Sequence, residues 1–275
     1  MKLFTFGDSW TEGVGGDLGE EFTTNIPEEK TKIRQKYCWP KYLSDLLKIE
    51  FQNFGMGGAS NKVIFDATCH AIHNNIIKKD DIVVVMWSSS LRDNVPFFPS
   101  NNPWHFWGET SIRKKHIYGF ILDKTHFTKS DNQSSLKKEY KEYFIDNLFS
   151  ETYYDIINQN YILYIQYMFD RIGIRYVFCD AFDLMIKKEI IKEVDKTNLI
   201  KTNHYWGLSD KTIKNFLISK NRKDVWEDGN LWSDNITGKH PNKIGYEIIA
   251  NMLYDYILEK DILYYNTNEI ENRII

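Results

Sequence analysis

The chain has 275 residues, enough for one α/β domain with a full core, or for such a domain carrying a large insertion. Its net charge of −3, from 35 basic and 38 acidic side chains, gives no reason to expect nucleic acid, whose protein partners usually carry a basic face. No run approaches the roughly 18 apolar residues of a membrane span, and the first seven residues are too few to form a signal peptide. Three widely spaced cysteines, Cys38, Cys69 and Cys179, make neither a disulfide framework nor a zinc site. The expectation is a cytoplasmic protein with reduced thiols. Release by lysis, incorporation in a particle and homo-oligomer formation all fit the same composition.

Taken in order, Leu3 to Phe6 alternates with Lys2 and Thr5 and predicts a first strand, which ends at Gly7-Asp8-Ser9-Trp10. Ligands of open α/β sheets lie beyond the carboxyl ends of the strands, so Ser9 is a candidate nucleophile and Trp10 a candidate substrate contact. Taken alone, Gly-Asp-Ser is also ordinary turn or N-cap chemistry. Residues 20–36 are polar and mixed in charge, with Pro27 against a long helix, and read as a surface loop. Tyr42, Leu43, Leu46 and Leu47 then mark an amphipathic helix started near Pro40.

Residues 49–54 predict a second strand, followed by a glycine-rich loop over 55–61. A backbone amide in that loop can approach a ligand closely, and Ser60 or Asn61 can cap the next helix; Asn61 is also a candidate substrate contact. The helix predicted over 61–78 carries Asp66, His70 and His73 at a spacing that can put them on one face. A polar face is the expectation, with no metal. Ile82-Val83-Val84-Val85-Met86 reads as a central parallel strand buried on both sides, with Ser88 to Asn94 at its end.

About 95–141 has no clear period and reads as an insertion over the crevice. Its aromatics, Trp104 and Trp107 among them, suit the apolar face of a sugar or an acyl chain, or else the insertion's own core or a subunit interface. A helix over 139–172 ends at Gly173, and residues 174–179 form the next strand, with Asp180 at its end. Four strand–helix repeats predict a three-layer α/β/α sandwich with a mostly parallel central sheet. Residues 181–223 yield no chemistry. A last helix over 241–258 follows His240-Pro241 directly.

Three of these stretches, in this order, resemble the blocks of the SGNH, or GDSL, hydrolase family: Gly7-Asp8-Ser9, then Asn53 to Asn61, then His240-Pro241. The resemblance implies a flavodoxin-like fold and a serine ester hydrolase that needs no cofactor or metal. It makes Ser9 the nucleophile, His240 the base, and the amides of Ser9 and Gly58 donors to the oxyanion. Two positions depart from the pattern. The family's third block carries an asparagine donor where this chain has Ser90, with Arg92 and Asn94 within one turn. The family's acid stands three residues before the histidine, where this chain has Thr237. Asp234 is the nearest acid, Asp228 the second choice, and a Ser-His dyad the third. The implied substrate is a small acyl ester, with a carbohydrate O-acetyl group favoured by the aromatic insertion. An acyltransferase of the same fold, or an inactive carbohydrate-binding or structural module, stays open.

Overall fold

Four strands of the central sheet form where apolar runs predict them, and a fifth joins them where none does. The computed structural model describes residues 1–17, 27–90, 92–94, 121–123, 150–186, 199–220 and 240–264. The strands are β1 (Leu3–Gly7), β2 (Phe51–Gly55), β3 (Ile82–Trp87), β4 (Arg92–Asn94), β5 (Ile121–Asp123), β6 (Arg175–Asp180) and β7 (Tyr205–Trp206). Five of them make one sheet in the order β2-β1-β3-β6-β7, with every pairing parallel. The strand β7 has only two residues, too few to show a period of two in sequence.

The helices are α1 (Ser9–Glu12), α2 (Pro27–Tyr37), α3 (Trp39–Leu47), α4 (Asn61–His73), α5 (Glu151–Ile172), α6 (Ile213–Ser219) and α7 (Lys243–Glu259). They cover both faces of the sheet because successive strand side chains point to opposite sides. Phe4, Phe6, Val83, Val85, Tyr176 and Phe178 enter one core with residues of α4 and α5, such as Ile64 and Phe169. Leu3, Ile82, Val84, Met86, Val177 and Cys179 enter the other with residues of α3, α6 and α7, such as Leu43, Leu217 and Leu253. All six residues of β3 are buried, as a strand between two helical layers requires. Each such aliphatic side chain contributes about 1.5–3 kcal/mol by leaving water. The result is an α/β/α sandwich.

Two predicted boundaries are corrected. The stretch read as a loop over 20–36 contains α2, in which Pro27 is the first residue rather than a breaker. A proline costs nothing at that position, where its missing N–H has no helical partner, and Arg34 and Lys36 suit the helix's negative end. Helix α4 stops at His73, short of 78, because the chain turns through Asn75 at φ 55°. Most of the expected insertion lies outside the described residues. Within it, β5 pairs antiparallel with β4, Asp93 opposite Leu122. No helix among the described residues is long and apolar enough to cross a membrane.

Strand β1 has β2 on one side and β3 on the other, so the chain reverses its direction of winding there. The crevice that such a switch opens lies at the carboxyl ends of β1 and β3. Ser9 follows one strand, and Ser88 to Ser90 follow the other.

Candidate active site

Strand β1 passes into α1 in a turn too tight for any side chain at Gly7, whose Cβ would lie 2.1 Å from Thr11 Oγ1. Asp8 caps the helix, its carboxylate accepting the Trp10 amide at 3.0 Å. Gly13, at φ 96°, ends α1 after a single turn. Ser9 is thereby fixed at the first helical position, half-buried at the mouth of the crevice.

His240 reaches it from the other end of the chain. Its Nε2 lies 3.0 Å from Ser9 Oγ, hydrogen-bonding distance for a hydroxyl donating to a neutral imidazole. His240 stands two residues before Asn242, which caps α7 by accepting the Gly245 amide at 3.1 Å. The buried Tyr246 of the same helix donates its hydroxyl to the Val14 carbonyl at 2.5 Å. Gly15 completes the clamp: its φ is +93°, and a Cβ there would lie 2.6 Å from the Pro241 carbonyl oxygen and 3.1 Å from His240 Cβ. The serine loop and the histidine loop can therefore touch only because Gly15 has no side chain.

Behind Ser9, Asp8 is fully buried and accepts from Ser88 Oγ at 2.9 Å and from Arg92 Nη1 at 3.2 Å. The same Arg92 nitrogen donates to Ser88 Oγ at 2.9 Å and to the Ala59 carbonyl at 3.5 Å, and the guanidinium lies 5.4 Å from the Phe182 ring. Arg92, a candidate oxyanion donor, thus points its charge at a buried carboxylate under the serine. Ser90 is buried at the end of β3, and its carbonyl accepts from Asn158 Nδ2 at 3.1 Å. Asn94 lies in β4; its side chain is outside the described residues.

Two candidate substrate contacts sit in the frame of the site instead. Trp10 is 2% exposed and packs edge-on against Phe182 at 4.8 Å. Asn61 is 1% exposed, with Nδ2 donating to the Ser89 carbonyl at 3.2 Å and Oδ1 accepting the Ser88 amide at 2.7 Å. It ties the start of α4 to the end of β3. Trp104, Trp107, Asp228 and Asp234 lie outside the described residues.

The glycine-rich loop runs past Ser9. Asn53 Nδ2 donates to the Thr11 carbonyl at 2.6 Å, and the Met56 amide donates to the Gly7 carbonyl at 3.0 Å. The Ala59 amide closes a turn onto the Met56 carbonyl at 3.0 Å, with Gly58 at φ 76° in the turn's third position, where type II geometry calls for glycine. The Gly57 amide donates to Glu12 Oε2 at 2.6 Å, and Arg34 Nη1 donates to the other oxygen of Glu12 at 3.1 Å. Arg34 Nε also pairs with Asp17 at 3.2 Å. Reading the sequence missed Glu12, Arg34 and Asp17. The available signal was the spacing of Ser9 and Glu12 at three residues, which puts both on one side of a helical turn.

Elsewhere, Asp66 pairs with Lys62, and His70 Nδ1 lies 3.2 Å from Asn74 Nδ2. Among the described residues no group of three His, Cys, Asp or Glu side chains is placed to hold a metal ion. Asp180 ends β6 almost fully buried and accepts from Tyr205 Oη at 2.6 Å and from the Met185 amide at 3.1 Å. Burial pushes its carboxyl up to about 7, against the two hydrogen bonds that favour the charged form.

With this geometry in place, comparison with known proteins adds a likeness of shape. Among the solved structures that resemble this chain are two of lipolytic proteins. One is a protein assigned to the G-D-S-L lipolytic family from Desulfitobacterium hafniense, 11% identical, with 93% of this chain and 98% of that one covered at a TM-score of 0.38. The other is a member of the lipolytic G-D-S-L family from Veillonella parvula, 13% identical, with 94% and 97% covered at a TM-score of 0.39. No family model matches the sequence, and no curated protein matches it.

Proposed function

We propose that this chain is a serine ester hydrolase in which Ser9 attacks the acyl carbon and His240 moves the protons. The observation that carries the reading is the 3.0 Å contact between His240 Nε2 and Ser9 Oγ, made by residues 231 positions apart and held by Gly15. A serine hydroxyl is a poor nucleophile near neutral pH and needs a base at this distance. As Oγ bonds to the acyl carbon, its proton passes to Nε2. The tetrahedral adduct then collapses, the ester C–O bond breaks, and the departing alkoxide takes that proton. Water, deprotonated by the same nitrogen, attacks the acyl-enzyme; the returning proton restores Ser9 and the acid leaves.

The oxyanion would be held by the amides of Ser9 and Gly58, with Ser90 or Asn94 a further donor in place of the family's asparagine. Losing one such donor costs about 3 kcal/mol of transition-state stabilisation, which argues for a slow enzyme if none replaces it. Asp234 would hold the imidazole in its working tautomer, Asp228 being the alternative, with a Ser-His dyad as the limiting case. The residues about 95–141, as an insertion in a single domain, would supply Trp104 and Trp107 to a small acyl ester, a carbohydrate O-acetyl group above all.

Turnover of p-nitrophenyl acetate, longer p-nitrophenyl esters and acetylated sugars tests this reading. Wild type should hydrolyse the acetyl esters fastest, with Ser9→Ala reduced at least about 10³-fold. Equal rates for wild type and Ser9→Ala on every ester would sink it. Acyl transfer to an added alcohol in preference to water would identify a transferase. Carbohydrate binding that survives Ser9→Ala, with no turnover by wild type, would identify an inactive binding module.

A further inference from the structure

We propose that Glu12 is a positioning residue that holds the Gly57–Gly58 peptide in register with Ser9; this rests on the reading of Ser9 as the nucleophile. Glu12 lies on the same single-turn helix as Ser9, three residues on, so the two side chains leave α1 on neighbouring sides. One carboxylate oxygen accepts the Gly57 amide at 2.6 Å, a short bond of the charge-assisted kind. A side chain at Gly57 would crowd this contact, since its Cβ would lie 3.0 Å from that oxygen and 4.0 Å from Ser9 Cβ. The turn that presents Gly58 is therefore pinned to the helix that presents Ser9. An error in the position of one is shared by the other.

The other oxygen of Glu12 fixes the carboxylate in place. Arg34 of α2 donates to it at 3.1 Å and pairs through Nε with Asp17 at 3.2 Å. Asp17 in turn accepts the Gly15 amide at 3.2 Å, and Gly15 is the residue that lets His240 approach. One guanidinium thus joins two carboxylates, of which one holds the glycine turn and the other the loop against the histidine. The three side chains are only 13–22% exposed, so solvent screens them less than a surface pair. The charge on Arg34, shared with Asp17, also offsets part of that of Glu12, which opposes an oxyanion forming beside Gly57.

What the glycine turn needs from Glu12 is a hydrogen-bond acceptor at the right reach; the charge is secondary. Steady-state kinetics on p-nitrophenyl acetate with Glu12→Ala, Glu12→Gln and Glu12→Asp separates the two. Glutamine keeps an acceptor for the Gly57 amide at full length but turns its NH2 group, a donor, toward Arg34 Nη1, and aspartate keeps the charge but is one methylene short. The expected kcat is about tenfold or more below wild type for alanine and aspartate and reduced by less than about tenfold for glutamine, which keeps the Gly57 bond but loses the one from Arg34, with KM within about threefold throughout. A full-rate Glu12→Ala, or a loss that follows charge so that aspartate works and glutamine fails, would overturn the assignment. If Glu12→Ala does not fold, the glutamine and aspartate variants decide at matched melting temperature. A wild type that turns over no ester removes the reading of Ser9 and this inference with it, whereas active wild type with unaffected variants removes this inference alone.

Discussion

At the scale of residues, the arrangement under Ser9 depends on an ion pair that is almost wholly out of water. The Asp8 side chain is 0% exposed and that of Arg92 12%. Taking Asp8 into the protein is costly, and what offsets the cost is Arg92 together with Ser88 and the Trp10 amide. Because Asp8 also caps α1, a disturbance of the pair moves Ser9 directly. Arg92→Met keeps the length of the side chain and removes its charge, leaving a buried carboxylate unpaired. The expected loss is about 3–5 kcal/mol in urea unfolding, partly recovered when Asp8→Asn is added. A loss below about 1 kcal/mol would mean that the pair contributes no more than one at the surface. In the sequence Arg92 stood out only as a cation near the expected oxyanion site. Its actual partner, 84 residues away, depends on β1 and β3 lying side by side, which no local pattern encodes.

At the scale of elements, the edge of the sheet carries a titration. Asp180 at the end of β6 is tied to β7 by Tyr205, and burial raises its carboxyl from an ordinary 3.8 to about 7. Between those two values the folded protein holds a proton that the unfolded chain has released. Stability should therefore fall as pH rises from about 4 to about 7, by at most about 1.4 kcal/mol per pH unit, and level off above. Asp180→Asn keeps an acceptor for Tyr205 and cannot ionise, so chemical denaturation across this range should show a flatter profile for the variant than for wild type. Identical profiles would place the titrating proton elsewhere. The elements also divide by how plainly the sequence declares them. Strand β3 is apolar throughout because it is covered on both faces, and α7 shows its apolar side at helical spacing. By contrast, α2 has a polar composition, and its place comes from Arg34 reaching Glu12 and Asp17, a tertiary contact. The two residues of β7 form a strand only because β6 is there to pair with.

At the scale of the whole molecule, the candidate site lies where two ends of the chain meet. The sheet order puts β1 between β2 and β3, and α7 packs on α3 behind it, so a serine at residue 9 and a histidine at residue 240 converge. This convergence was legible from the order of the three sequence blocks. The glycine-rich stretch was legible too, since Gly58 takes a positive φ and a side chain at Gly57 would crowd the Glu12 carboxylate. The carboxylate–guanidinium chain from Gly57 to Gly15 was not, because each of its links joins residues whose proximity only the folded chain creates. Covalent labelling by a fluorophosphonate, read by intact mass on wild type, Ser9→Ala and His240→Ala, tests most directly whether the 3.0 Å contact activates the serine. The account predicts one adduct on wild type, none on Ser9→Ala, and labelling slowed by about 10³-fold or more in His240→Ala. A folded wild type that takes up no label, or one labelled at the same rate without His240, would contradict it.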